Sequence, residues 1–233
     1  MVELERLCRF FDSVRGTDKA LMFFQYSSKL MTWHLRNMNP SSPLACRIAN
    51  LAGPVSDFRV LLRYYGLLPL TKYAIDCENK KYPNARLKTL ERLQNFMMFL
   101  YYPLEHTYWL ALHQVIPMTE ATRNKIGTWS CRFWAAYVIF YFGQLWEERN
   151  LRKLKYKAVL AKKSDSDPDT LKEELRKLDE ERKGWLLSAF VNSCYFPLTV
   201  HWSLETSSFP DVGVGFFGTL AALAQIYGTW KAT

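Results

Sequence analysis

Apolar positions along this chain follow two patterns. In the first third they recur at helical spacing and leave narrow polar stripes; in the last third they merge into unbroken runs. Thr17 or Asp18 is placed to cap a helix that runs to about Asn37. Within it Gln25, Lys29, Thr32 and Arg36 stand at i, i+4, i+7 and i+11, one polar stripe on a surface otherwise built of Leu21, Phe24, Leu30 and Trp33. That surface is too apolar for an ordinary surface helix and too interrupted for a membrane span. Asn39 to Pro43 ends it with turn chemistry. After Pro54 a second stretch sets Phe58, Leu61, Leu62, Tyr65 and Leu68 on one helical face, with Arg59, Arg63 and Gly66 opposite. Pro69 interrupts it, and Lys72, Lys80 and Lys81 continue its basic character.

The runs lengthen further on. Ala85 to Met118 predicts one long helix or two broken ones, apolar from Leu93 except for Glu105, His106, His113 and Gln114, with Pro103 placed to kink it. Trp129 to Trp146 is an 18-residue run whose only charge is Arg132, near one end where it can snorkel. Trp185 to Trp202 holds no acid or strong base and is broken by Pro197. Val212 to Trp230 runs 19 residues without a charge. At the ordinary helical rise that is roughly 28 Å, close to the hydrocarbon thickness of a bilayer. Glu205, Ser207, Ser208, Pro210 and Asp211 separate the last two runs, so the pair reads as a hairpin that enters the membrane and returns. Gly218, Ala221, Ala222 and Gly228 would let another helix come close. The alternative is a buried hairpin of a soluble all-α protein.

Between the runs, Glu147 to Lys183 reads as a charged linker with 12 Lys/Arg and 10 Asp/Glu. Ser164 and Ser166 stand there in an acidic context open to phosphorylation, and Thr170 with Glu173 has the spacing of a capping box. The expected division is 1–92, an interfacial amphipathic region; 93–146, a first membrane helical pair; 147–184, a charged linker and helix; and 185–233, the terminal hairpin. The fold class is all-α, a membrane-associated helical bundle.

Charge sharpens this picture. The chain carries a formal +9, with 14 Lys/Arg against 7 acids in residues 1–90. A basic balance suits nucleic acid or an anionic membrane surface, and the apolar runs favour the membrane over nucleic acid. The loops around 118–127 and 205–211 hold only Arg123 and Lys125 as bases, so the positive-inside rule puts both termini and the linker on the cytosolic side. Mean hydropathy is only −0.17, so apolar segments alternate with strongly polar ones. The five cysteines are scattered and lack metal or disulfide-framework spacing.

Candidate chemistry is sparse. His106 and His113 share a helix face, but the third ligand and tighter spacing of a metal site are missing. No nucleophile elbow, phosphate-cradling glycine loop or paired carboxylate stands out, so neither an enzyme nor a cofactor is expected. Glu105 at membrane depth requires a partner, with His106 or a backbone group the nearest.

Four segments carry a resemblance. "GTDKALMFFQYSSKLM" (Gly16 to Met31), "SDFRVLLRYYGLLP" (Ser56 to Pro69), "YYPLEHTYWLA" (Tyr101 to Ala111), and the pair "FPLTVHWS" (Phe196 to Ser203) and "GFFGTLAALAQIYGTWK" (Gly215 to Lys231) resemble, in order and spacing, the peroxin-11 family of peroxisomal membrane-elongation proteins, its gamma-like branch in particular. The resemblance implies residence in the peroxisomal membrane, delivery by the import receptor for peroxisomal membrane proteins, self-association as a homo-oligomer, and membrane elongation before fission by dynamin-related machinery. On that basis Phe58, Leu61, Leu62, Tyr65 and Leu68 are expected to insert into the leaflet, Arg59, Arg63 and Lys72 to hold headgroups, and Gly218, Ala222 and Gly228 to pack helices. A pore for small metabolites is the alternative, with Glu105, His106, His113, Arg132, Asn192 and Gln225 as candidate lining residues.

Overall fold

A computed structural model describes residues 2–161 and 167–233. Eight helices account for nearly all of them: α1 (Val2–Asp12), α2 (Val14–Met38), α3 (Pro43–Tyr64), α4 (Leu67–Asn79), α5 (Ala85–Leu112), α6 (Glu120–Ala161), α7 (Pro168–Ser203) and α8 (Asp211–Ala232). Ser164 and Ser166 lie outside the described residues.

Local chemistry sets the helix starts. Ser13, rather than Thr17 or Asp18, caps α2: its Oγ accepts from the Gly16 N–H at 2.9 Å, and Thr17 is left inside the helix. Asn84 caps α5 through the Leu87 N–H, and Asp167 caps α7 through the Thr170 N–H, with Pro168 at the first helical position. Thr170 therefore donates to a cap and does not form one. Pro54, Pro103 and Pro197 all sit inside helices. The stretch around Phe58 is accordingly the second half of a helix that begins at Pro43. The charged stretch 147–183 is helical on both sides of residues 162–166, as continuations of α6 and α7.

The six long helices close a ring. α5 packs on α6, α6 on α7, α7 on α8, α8 on α2 and α2 on α3, while α3 returns to touch α5. The main apolar core joins Met22 and Tyr26 of α2 to Cys194 and Leu198 of α7 and to Val214, Ala221 and Ala222 of α8. At one end of the ring, Arg6 donates to the Trp230 carbonyl at 2.7 Å and stacks on that indole, and Lys231 reaches Glu180 at 2.9 Å. A cation at the end of α8 suits the negative pole of the helix dipole. Both chain ends and the charged part of α7 therefore share one side of the bundle.

Among the described residues α8 is the one helix long and apolar enough to cross a membrane. Its outer face leaves Phe216, Leu223 and Tyr227 exposed, and its inner face lies on α2. Gly218 makes that approach possible, because a side chain there would overlap the Tyr26 ring. Gly228 faces only the movable tip of Leu187, and Gly184 of α7 has open space around it.

These three glycines should respond differently to substitution. Gly218→Val should destabilise the bundle by about 1–3 kcal/mol through overpacking. Gly184→Ala should stabilise it by about 0.5–1 kcal/mol through helix propensity alone, with Gly228→Ala in between. Thermal unfolding of the purified variants in detergent checks the order.

Candidate functional site

The segment that carries the sequence-derived wedge is built inside out. On α3, Arg59 and Arg63 lie one turn apart and both point into the ring. Arg59 is buried; its Nε donates to Asp18 Oδ1 of α2 at 2.9 Å, and its Nη1 donates to Gln25 Oε1. Arg63 grips Glu105 of α5 with a two-bonded fork, Nε to Oε2 and Nη2 to Oε1, each at 2.7 Å. Tyr101 adds its hydroxyl to Glu105 Oε1 at 2.6 Å. These contacts correct two expectations: neither arginine is free to hold headgroups, and the partner of Glu105 is Arg63 rather than His106. His106 instead stacks on Tyr64 at 3.7 Å between ring centroids, with its Nε2 buried and unpartnered.

Because the arginines face inward, the opposite face of α3 presents apolar groups outward. Phe58, Leu61 and Tyr65 are exposed, and Leu68 at the start of α4 is the most open of the set at 79%. Leu62 is half-buried, on the flank nearer the arginines. Ile75, on one face with Leu68, adds an exposed apolar group further along α4. Lys72 is exposed and pairs with Asp76 at 2.8 Å, a surface contact worth roughly 0–1 kcal/mol that leaves its ammonium available.

α4 is tied to α5 mainly through one carboxylate. Glu91 is buried and accepts from Tyr82 at 2.6 Å, Tyr73 and Cys77 at 3.2 Å, and Lys80 at 3.3 Å. Burial pushes its carboxyl up, but the donors from Tyr82, Cys77 and Lys80 outweigh that and hold it below the usual range. Beside it, Arg92 forks onto both oxygens of Glu78.

The remaining candidates do not converge. Arg132 donates to the Ser203 carbonyl, His113 meets Asp57 Oδ1 at 2.9 Å, Asn192 donates to the Ser188 carbonyl and Gln225 to Tyr195 Oη at 2.6 Å. Each is satisfied by a local partner. Gly218 and Ala222 lie in the α2–α8 contact and Gly228 against α7. Sequence reasoning read Asp18 only as a possible cap and Glu91 only as part of a solvated helix start, and gave Tyr101 no role. A signal for Asp18 was there to be read: it is the one acid of α2, and Arg59 and Arg63 are bases among apolar neighbours on the helix that packs against it.

Charged groups turned inward, apolar groups turned outward and a terminal apolar hairpin define an all-α, membrane-associated helical bundle. The family model described as Peroxisomal biogenesis factor 11 (PEX11) matches residues 4–230, and the chain belongs to that family. It is 24% identical to peroxisomal membrane protein PMP30B of Candida boidinii over 251 aligned positions, covering 98% of this chain and 94% of that one. It is also 24% identical to an uncharacterized protein of Schizosaccharomyces pombe over 179 positions, covering 76% and 73%. No solved structure matches the chain. It is a protein of the peroxisomal membrane with a role in peroxisome proliferation.

Two outcomes follow from the buried pairs. Arg63→Ala leaves Glu105 without its counter-charge and should cost about 2–3 kcal/mol, somewhat less than a fully buried pair because the arginine is partly exposed. The double variant Arg63→Met/Glu105→Leu should regain most of that loss; chemical denaturation in micelles followed by tryptophan fluorescence measures both. The second outcome concerns acid. Burial raises the Asp18 carboxyl, but Lys19 and Arg59 overcome this and bring it down to about 2. A carboxylate lowered by folding contributes stability that is complete above its unfolded value near 4 and is lost as pH falls through about 2. Unfolding midpoints of the wild type should therefore fall between about pH 4 and 2, and Asp18→Asn should flatten that limb while lowering stability at neutral pH.

Proposed function

We propose that this chain elongates the peroxisomal membrane by laying the outer face of α3 and α4 into one leaflet while α8 and the apolar end of α7 anchor it as a hairpin. The observation that carries this reading is the exposed apolar set of Phe58, Leu61, Tyr65 and Leu68, running from α3 into α4, beside α3 arginines that are committed inward. Each such side chain contributes up to about 1.5–3 kcal/mol when moved from water to an apolar medium. A helix lying shallowly in the headgroup region spreads that leaflet relative to the other, and the membrane relieves the mismatch by curving.

Lys72 keeps the headgroup role in this scheme, and Lys81, exposed beyond the end of α4, joins it. A cation near an anionic leaflet contributes about 1 kcal/mol. The proposed topology is multi-pass with both termini on the cytosolic side, which agrees with the shared position of Arg6, Trp230 and Glu180 at one end of the ring. Self-association would concentrate the wedges, the membrane-protein import receptor would deliver the chain, and dynamin-related machinery would cut the elongated membrane. Family membership, rather than side-chain geometry, is what supports these three roles.

The test is full-length protein reconstituted into liposomes containing anionic lipid. Wild type should draw tubules, visible by electron microscopy. Tyr65→Glu/Leu68→Glu, at the two most exposed positions of the strip, should abolish them while leaving the helical circular-dichroism signal unchanged. Tubules of equal frequency from that variant would remove α3–α4 from the mechanism.

A further inference from the structure

Beyond Trp185, whose indole N–H donates to the Leu145 carbonyl at 2.9 Å, α6 and α7 continue side by side toward residues 162–166. Lys155 and Glu181 join them at 3.2 Å. Between the two helices a groove of about 1180 Å³ is open. Its walls hold Arg149, Arg152, Lys153 and Lys157 from α6 and Arg182 from α7. The carboxylate among the lining residues, Asp179, is already bridged by Lys183 at 2.8 Å. Among the described residues none of the five cations has a carboxylate within ion-pair distance. Arg152 and Arg149 instead stack over Trp185 and Trp146, at 4.6 and 5.8 Å.

The floor of this groove is apolar. Leu175, Leu178 and Trp185 stand at i, i+3 and i+10, three positions of a helix-packing seam whose i+7 position is Arg182 of the rim. Leu186 is exposed beside it, and Leu154 on α6 is 63% exposed. A groove with leucine at its base and unpaired cations on its rims has the form of a helix-in-groove site. Phosphate headgroups would use the cations but have no use for the leucine floor.

We propose that this groove binds an acidic amphipathic helix of a partner protein, completing a three-helix bundle with α6 and α7. The occupant carries apolar residues at i, i+3 or i+4 and i+7 toward Leu175 and Leu178. Aspartates or glutamates on its flanks meet Lys153, Lys157 and Arg182. The floor from Leu175 to Leu186 is about 16 Å long, so three helical turns fill it.

The test uses the full chain in nanodiscs of uncharged phosphatidylcholine. The probe is a fluorescein-labelled peptide of about fourteen residues with leucine at the seam positions and glutamate elsewhere. A second peptide of the same composition has its leucines scrambled. Fluorescence anisotropy at about 0.15 M salt should show saturable binding of the first probe and at least about tenfold weaker binding of the second. Lys153→Glu/Arg182→Glu should weaken the first probe at least about tenfold, and a lysine-for-glutamate version of the probe should recover affinity for that variant. Leu178→Asp should weaken it with the charges intact. Equal binding of both peptides would reduce the groove to a non-specific charge patch and overturn the proposal. So would a charge-reversed variant that keeps its affinity for the probe but loses adsorption to phosphatidylserine vesicles, which would make the groove a headgroup site.

Discussion

Arg59 with Asp18 and Gln25, and Arg63 with Glu105 and Tyr101, tie three helices together through charge rather than through apolar packing. Removing such groups from water is expensive, and the attraction between partners offsets that cost only when the geometry is close and every lone pair is used. The bidentate fork of Arg63 and the two acceptors of Arg59 meet that requirement. The consequence for α3 is geometric. Two arginines one turn apart that must face inward turn Phe58, Leu61 and Tyr65 outward, and those residues are aromatic or aliphatic.

In water this arrangement would be unfavourable, since the exposed strip of Phe58, Leu61, Tyr65 and Leu68 would remain hydrated while charges occupied the interior. Against a lipid surface the preference reverses, because apolar side chains lose water contact and the charges are already satisfied. The same logic holds for α8, which packs its small residues on α2 and presents Phe216, Leu223 and Tyr227 outward. Close approach there depends on Gly218 lying over the Tyr26 ring, so van der Waals contact takes the place of a hydrophobic driving force.

Glu91 plays a part for α4 that neither apolar packing nor helix propensity supplies. Four donors from α4 and the following turn meet on one buried carboxylate, which fixes a short helix that exposes Leu68 and Ile75 alongside Lys72 and Asp76. The proposed membrane face is thereby carried on a stiff support rather than on a loose segment. Past Trp146 and Trp185, α6 and α7 keep helical structure in a heavily charged sequence, with ion pairs such as Lys155 to Glu181 bridging them. The bundle therefore has a lipid-compatible body and a water-compatible extension made from the same two helices.

Periodicity alone was enough to show an all-α chain, the apolar face on Phe58 to Leu68, the terminal apolar helix and the glycine and alanine stripe along it. These are local properties: helical spacing, run length and side-chain size can be read from neighbouring positions. What spacing could not determine was the direction in which the polar face of α3 turns. Arg59 and Arg63 have the same periodicity whether they meet lipid phosphates or Asp18 and Glu105, and those acids lie 41 and 42 residues away in sequence. Only the ring closure that brings α2, α3 and α5 together decides it. The same holds for Glu91, ordinary in sequence as part of a solvated helix start, which becomes the anchor of α4 because Tyr73, Cys77, Lys80 and Tyr82 converge on it. A pairing partner distant along the chain is a tertiary fact, and a buried charge is intelligible only once its counter-charge has been placed.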